Sequence, residues 1–132
     1  MFDQPVKDIM RRQNLLKAPP ETLVAKAAKL MAGKNVSASA VVVDERLVGI
    51  FTERDVVFRV VARGLDVNAT PIADVMTPDP KSVAPGVPFG AALLMMHEGG
   101  FRHLPVVDGG KVVGIVSARS AIVVKSGSSE SR

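Results

Sequence analysis

The sequence has no cysteine, no tryptophan and no tyrosine, and it holds only five phenylalanines and two histidines in 132 residues. Each absence removes a class of chemistry. Without thiols there are no disulfides, thiolate metal sites, iron–sulfur clusters or cysteine nucleophiles. Two histidines do not make a histidine-built metal centre, and no metal site is expected. Aromatics this sparse give no stacking platform for single-stranded nucleic acid. The net charge of +4 is smaller than a nucleic-acid binder usually carries. It is also spread evenly, with 11 basic against 8 acidic residues in the first 66 and 6 against 5 in the last 66. No apolar run approaches the roughly 18 residues of a membrane span. The opening Met-Phe-Asp-Gln-Pro lacks the basic start and apolar stretch of a secretion signal. The expected setting is therefore cytoplasmic, away from membranes and nucleic acid.

What remains is an aliphatic chain. Hydrophobic residues make up 47% and charged residues 23%, the balance of a soluble folded protein. Its core must be built from Val, Ala, Leu, Ile and six Met. A chain of this length buries roughly two-thirds of the surface its unfolded form exposes.

The most informative feature is an internal repeat. With Gly49 laid on Gly114, Leu47-Val48-Gly49-Ile50-Phe51-Thr52-Glu53-Arg54 falls on Val112-Val113-Gly114-Ile115-Val116-Ser117-Ala118-Arg119. Val41-Val42 falls on Val106-Val107, Met31 on Met96, Ala27 on Ala92 and Pro20 on Pro85. One residue of slip aligns Asp8-Ile9-Met10 with Asp74-Val75-Met76. The expected organisation is a first repeat with its lead-in over residues 1–66, a second over 67–125, and a Ser/Gly-rich disordered tail over 126–132. The join is turn-rich, over residues 64–80.

Each repeat reads as β-α-β-β-α. A proline-containing extended segment comes first (17–20; 81–85). An amphipathic helix follows, carried by Leu23, Val24, Ala27, Ala28, Leu30 and Met31 with a stop at Gly33, and by Phe89, Ala92, Leu93 and Met96 with a stop at Gly99-Gly100. A hairpin comes next, with strands over 40–43 and 47–51 and again over 104–107 and 112–116. A second helix closes each repeat, over 53–63 and, more briefly, 118–125. A unit of about 60 residues with one sheet face uncovered is marginal alone. The expected fold is therefore α/β (α+β), with two repeats packed sheet to sheet in pseudo-twofold symmetry.

The doubled lead-ins Asp8-Ile9-Met10 and Asp74-Val75-Met76-Thr77-Pro78, the strand Arg102-His103-Leu104-Pro105-Val106-Val107-Asp108 and the corner Gly49-Ile50-Phe51-Thr52-Glu53-Arg54-Asp55 resemble a tandem pair of CBS domains, a Bateman module. The resemblance runs from about Val6 to Lys125. It implies dimerisation and the binding of an adenosyl ligand (AMP, ADP, ATP or S-adenosylmethionine) in the cleft between the repeats.

Thr52, Arg54 and Asp55 are the leading site residues. Thr52 stands at a strand-to-helix corner, where free helix N–H groups favour phosphate. Arg54 would add a cation. The family pattern assigns Asp55 to the ribose hydroxyls and Thr52 to the phosphate or ribose side. A structural alternative stands beside this, because Thr followed three residues later by an acid is also a capping box. On spacing alone the cap leads; the repeat and the resemblance turn the reading toward the ligand. In the family the acid of one repeat meets the purine pocket of the other. The rest of the main site is then Lys81, Ser82 and Ala84 of the lead-in with Arg102, His103, Leu104 and Pro105. Arg102 could equally be a solvated strand-end cation and His103 a hydrogen-bonded edge histidine.

The second repeat departs from this pattern. Ser117 and Arg119 match Thr52 and Arg54, but Ser120 replaces Asp55 and cannot accept from both ribose hydroxyls. A weaker second site is expected from Ala18, Ser37, Ala38, Ser117, Arg119 and Ser120. Met31, Met95 and Met96 read as core. His97 and Glu98 lack the second histidine of a zinc-binding helix, and Gly109-Gly110-Lys111 is a turn rather than a Walker loop.

The expected function is a non-catalytic regulatory module that binds an adenosyl ligand, works as a homodimer and signals to a separate protein in trans. No catalytic residues and no cofactor are expected, although Asp55 with His103 is a conceivable acid–base pair. The alternative is a ligand-free dimerisation or scaffold module in which the motif residues only cap helices.

Overall fold

The computed structural model describes residues 1–10 and 14–120. The second helix expected near residues 118–125 and the tail at 126–132 lie almost wholly outside them. The described residues form two compact units, residues 14–80 and residues 1–10 with 81–120.

The first unit runs β1 (Lys17–Ala18), α1 (Val24–Lys34), β2 (Ala38–Val43), β3 (Arg46–Thr52), α2 (Glu53–Asp55), a 3-10 turn (Ile72–Asp74) and β4 (Thr77–Pro78). Its four strands lie in the order β1-β2-β3-β4, with β1 parallel to β2 and the other pairs antiparallel. Helix α1 turns Val24, Ala27 and Met31 inward, the i, i+3, i+7 stripe that its sequence predicts. It passes through Gly33 and stops at Asn35, which takes the left-handed conformation (φ 55°) and donates its N–H to Ala32 and Met31 carbonyls. Beyond α2 the helix continues over Val56–Val61 with π winding, seen in the Ala62 N–H bond to the Val57 carbonyl five residues back. Leu16, Met31, Val41, Val60, Ile72 and Val75 make the core together with Phe51, so the core is not aliphatic alone: Phe51 here and Phe89 in the second unit are the largest fully buried side chains.

The second unit holds a 3-10 turn (Val6–Asp8), α3 (Phe89–Gly99), β5 (His103–Asp108) and β6 (Lys111–Ser117). Here α3 ends at Gly99 with Gly100 left-handed, where the sequence places the stop. The lead-in contributes a single parallel bridge, Val83 to Val106, in the place that β1 takes in the first unit. Val6, Phe89, Met96, Leu104, Val106 and Val116 are its core. The class is mixed α+β, as expected, and Met31 and Met96 are core residues at 5% and 2% exposure.

The two hairpins carry the same irregularity. Each has a bulge, between Val41 and Val42 and between Val106 and Val107, and each closes in a two-residue turn. Gly109 and Gly110 supply the positive φ of the second turn, whereas Asp44 (φ 51°) and Glu45 (φ 68°) adopt it in the first.

The packing units cross the repeat boundary at residue 66. A helix N-terminus leaves backbone donors that need acceptors, and neither α1 nor α3 has a side-chain cap. The Val24 and Ala25 N–H groups donate to the carbonyls of Thr70 and Val67. The Phe89 and Gly90 N–H groups donate to those of Gln4 and Phe2. The lead-in methionines follow the same exchange. Met76 lies on Gly49 and Met10 on Gly114, so closely that a Cβ at either glycine would collide with the thioether. Each unit therefore takes its lead-in from the sequence before the other repeat.

Candidate functional site

Thr52 ends β3 opposite Ala38 and begins α2. Its side chain accepts from the Asp55 N–H at 3.4 Å, while the Asp55 Oδ2 accepts from the Thr52 N–H at 2.8 Å and from the Thr52 hydroxyl at 3.2 Å. The capping box is thus complete. The Glu53 N–H donates to the Ser37 carbonyl at 3.0 Å. The amides of Thr52, Glu53 and Asp55 are engaged inside the unit, which leaves fewer free helix N–H groups at this corner than the sequence suggests.

Asp55 is buried, at 6% exposure. Its Oδ1 lies 3.6 Å from the Arg59 Nε, beyond hydrogen-bond range. Among the described residues no hydrogen bond reaches that oxygen. Burial pushes the Asp55 carboxyl above the ordinary aspartate value of 3.8, against the pull of the Thr52 N–H, Arg59, the Thr52 hydroxyl and Arg54. Arg54 is exposed and its guanidinium stacks on the Phe58 ring, 4.3 Å from the centroid. This cation–π contact holds the cation at the surface rather than against Asp55.

Ala18, Ser37 and Ala38 of the expected second site lie in the same unit as this corner. Ala18 pairs with Val41, and Ala38 with Thr52. The second unit gathers the others. Val83, between Ser82 and Ala84, donates its N–H to the Pro105 carbonyl and accepts from the Val107 N–H, which sets Lys81, Ser82 and Ala84 beside β5. His103 pairs with Ser117, and the Arg102 carbonyl accepts from the Ala118 N–H. Leu104 is fully buried in the core, so it offers a ligand only its backbone. Ser117 and Ser120 hydroxyls lie 3.4 Å apart, a neutral remnant of the Thr52–Asp55 pair; Arg119 is exposed. A pocket of about 320 Å³ opens among Lys81, Met95, Glu98, Gly99 and Phe101; of the expected site residues only Lys81 touches it.

Two residues of the corner escape the sequence reading, Arg59 beside Asp55 and Phe58 beneath Arg54. The signal was available in both cases as i,i+4 spacing along one helix.

The CBS domain family model matches residues 6–62 and again 72–126. The chain is 42% identical over 103 residues to the CBS domain-containing protein CBSCBSPB1 of Arabidopsis thaliana, covering 77% of this chain but 19% of that protein. It spans about a fifth of the length of several such relatives. It is 38% identical over 112 residues to the CBS domain-containing protein YhcV of Bacillus subtilis, covering 85% of this chain and 79% of YhcV. Among solved structures, an uncharacterized conserved protein from Pyrococcus horikoshii superposes with a TM-score of 0.87 at 28% identity, over 100% of this chain and 99% of that one. CBSX2 in complex with AMP superposes at 0.77 with 31% identity, over 94% and 97%. The CBS domain pair of MJ0100, in complex with 5′-methylthioadenosine and S-adenosyl-L-methionine, superposes at 0.83 with 26% identity, over 94% and 97%.

Proposed function

The chain belongs to the CBS domain family, with two CBS domains, and on that premise we propose that it is a non-catalytic regulatory module that binds an adenosyl ligand at the Thr52–Asp55 corner and signals to a separate protein. The observation that carries this reading is the state of the Asp55 carboxylate. One oxygen is fixed by Thr52, and the other faces the Arg59 Nε at 3.6 Å and accepts no hydrogen bond among the described residues. A buried carboxylate with an open acceptor is costly unless a donor arrives, and a ribose diol supplies donors. Charge-assisted bonds of this kind contribute roughly 1.5–3 kcal/mol each. Arg54, stacked on Phe58 at the exposed face, would meet a phosphate or a carboxylate of the same ligand. AMP in CBSX2 and S-adenosylmethionine in the MJ0100 pair mark the ligand class. Ser120 stands where a second acid would be, so one strong site and one weak or empty one are proposed.

The working form we propose is a homodimer in the cytoplasm. Its support is an apolar patch on one helix, where Val57, Phe58 and Val61 are 54%, 55% and 65% exposed. The same patch, with a capping box formed by Thr52 and Asp55 themselves, also favours the second reading, a ligand-free dimerisation module.

Thermal unfolding with AMP, ADP, ATP and S-adenosylmethionine separates the two. A true ligand at a hundred times its dissociation constant stabilises by about 2.7 kcal/mol. Asp55→Ala should abolish the shift and Ser120→Ala should leave it. If no adenosyl compound moves the midpoint at millimolar concentration, the scaffold reading stands. Native mass spectrometry of the protein purified from cells reads the retained ligand and the oligomeric state together.

A further inference from the structure

Arg59 belongs to no motif, yet it is the best-connected cation of the first unit. Its Nη1 donates to two backbone carbonyls, Val75 at 3.3 Å and Met76 at 3.1 Å. Its Nε lies 3.6 Å from the Asp55 Oδ1. One side chain thus spans the candidate ligand acid and the segment that enters β4.

That segment is itself locked to the strand leading into the site. Val75 is in the core, Met76 covers Gly49, Thr77 and Pro78 pair with Ile50 and Gly49, and the Asp79 N–H donates to the Val48 carbonyl. Of the two arginines near Asp55, Arg54 is stacked over Phe58, and among the described residues Arg59 is the one whose side chain forms an ion pair with the carboxylate. The sequence adds an independent observation. Carried on without a gap, the repeat alignment sets Ser120 at the place of Asp55 and Val124 at the place of Arg59. The second repeat has lost the acid and the base together.

We propose that Arg59 is a positioning residue that holds the Asp55 carboxylate and the 75–79 segment in one network, so that what happens at Asp55 is transmitted to that segment. This deepens the adenosyl-site reading and rests on it for the identity of the natural signal. The network itself is built from groups of this chain. Asp55 Oδ2 is fixed by Thr52, and what remains adjustable among the described contacts is the long ion pair between Oδ1 and the Arg59 Nε, 3.6 Å apart. A donor arriving at Oδ1 draws charge from that pair, and the guanidinium then shifts its weight to the two carbonyls. The 75–79 segment is the side that responds.

The test is a double-mutant cycle on the full chain without ligand, using Asp55→Asn, Arg59→Gln and the double variant, with amide hydrogen exchange at Met76 and Asp79 as the readout. Each single variant is expected to lower protection there by about fivefold, the fold-change of a partly exposed ion pair, and the double variant by no more than either. Arg59→Lys should restore part of the protection, since it keeps the charge but not the fork. A carbon-13 titration of the Asp55 carboxyl adds a signature that loss of packing alone would not move, with Arg59→Gln raising its midpoint and Arg59→Lys bringing it back. Additive effects in the cycle, or an Asp55 titration unmoved by Arg59→Gln, overturn the proposal. A separate arm adds AMP. Binding that changes exchange at Met76 and Asp79 in the parent protein but not in Arg59→Gln supports the transmission, and binding that leaves both unchanged in the parent overturns it. Failure of the parent to bind AMP or S-adenosylmethionine counts against the adenosyl reading, and the ligand-free cycle still decides the role of Arg59.

Discussion

Asp55 is a carboxylate taken out of water beside a cation that does not close on it. Desolvation dominates its ionisation and raises its pKa above 3.8, against the Thr52 N–H, Arg59, the Thr52 hydroxyl and Arg54. The linkage has a definite sign. The folded protein binds this proton more tightly than the unfolded chain, so protonation of Asp55 adds stability that is fully present below 3.8 and is lost as pH rises through the higher folded value. At neutral pH the buried charge is a standing cost. Urea unfolding across this acid window, compared between the parent and Asp55→Asn, should show the parent gaining on the variant as pH falls. A flat difference would mean that Asp55 is not desolvated in solution. Hydroxyl donors from a ribose favour the ionised form, so a saturating adenosyl ligand should move this window to lower pH.

Single elements show how much was legible in the sequence. The helices α1 and α3 and both hairpins lie where periodicity and turn chemistry place them, because each is decided by local spacing. The 3-10 turns and β4 were invisible, since two or three residues held by tertiary hydrogen bonds leave no period to read. Glycine is the usual left-handed residue and Gly33 reads as the stop of α1, yet Asn35 takes that conformation. At the site, the capping box was readable from Thr52 and Asp55. The reach of Arg59 to the Val75 and Met76 carbonyls was not, because it depends on where the 75–79 segment returns. The hairpin turns give the test at this scale. The first repeat accepts Glu45 at φ 68° and pairs it with Lys17 at 2.8 Å, whereas the second uses Gly110 at φ 84°. Gly110→Ala should cost about 1 kcal/mol by forcing a side chain into the left-handed region, independent of salt. Glu45→Ala keeps the strain already present and removes the exposed ion pair with Lys17, a contribution of less than about 1 kcal/mol that should fade in high salt. Equal, salt-independent costs in the two turns would contradict this account.

For the whole molecule, the exchange of lead-ins means that the repeat in sequence and the unit in space are different divisions of the chain. Cutting at residue 66 follows the repeat and breaks the packing. A fragment of residues 1–66 keeps Phe51 and Val60 but loses Ile72 and Val75, which are 0% and 1% exposed. It also loses Met76 over Gly49, β4, and the carbonyls of Val67 and Thr70 that accept from the first turn of α1. Removing one large buried side chain typically costs about 2–5 kcal/mol, and whole domains are stable by only about 5–15 kcal/mol. Two such losses, with uncapped helix donors added, exceed what a half-sized unit can absorb. A fragment of residues 13–80 keeps every one of these groups. Circular dichroism and amide exchange should therefore find residues 13–80 the more structured and the more protected fragment, although it starts inside the first repeat and ends with the last residue of the join. Equal or greater order in residues 1–66 would show that the lead-in exchange is not what holds the units together. The binding corner would follow the same division, because Asp55, Arg59 and the 75–79 segment remain together only in the second fragment.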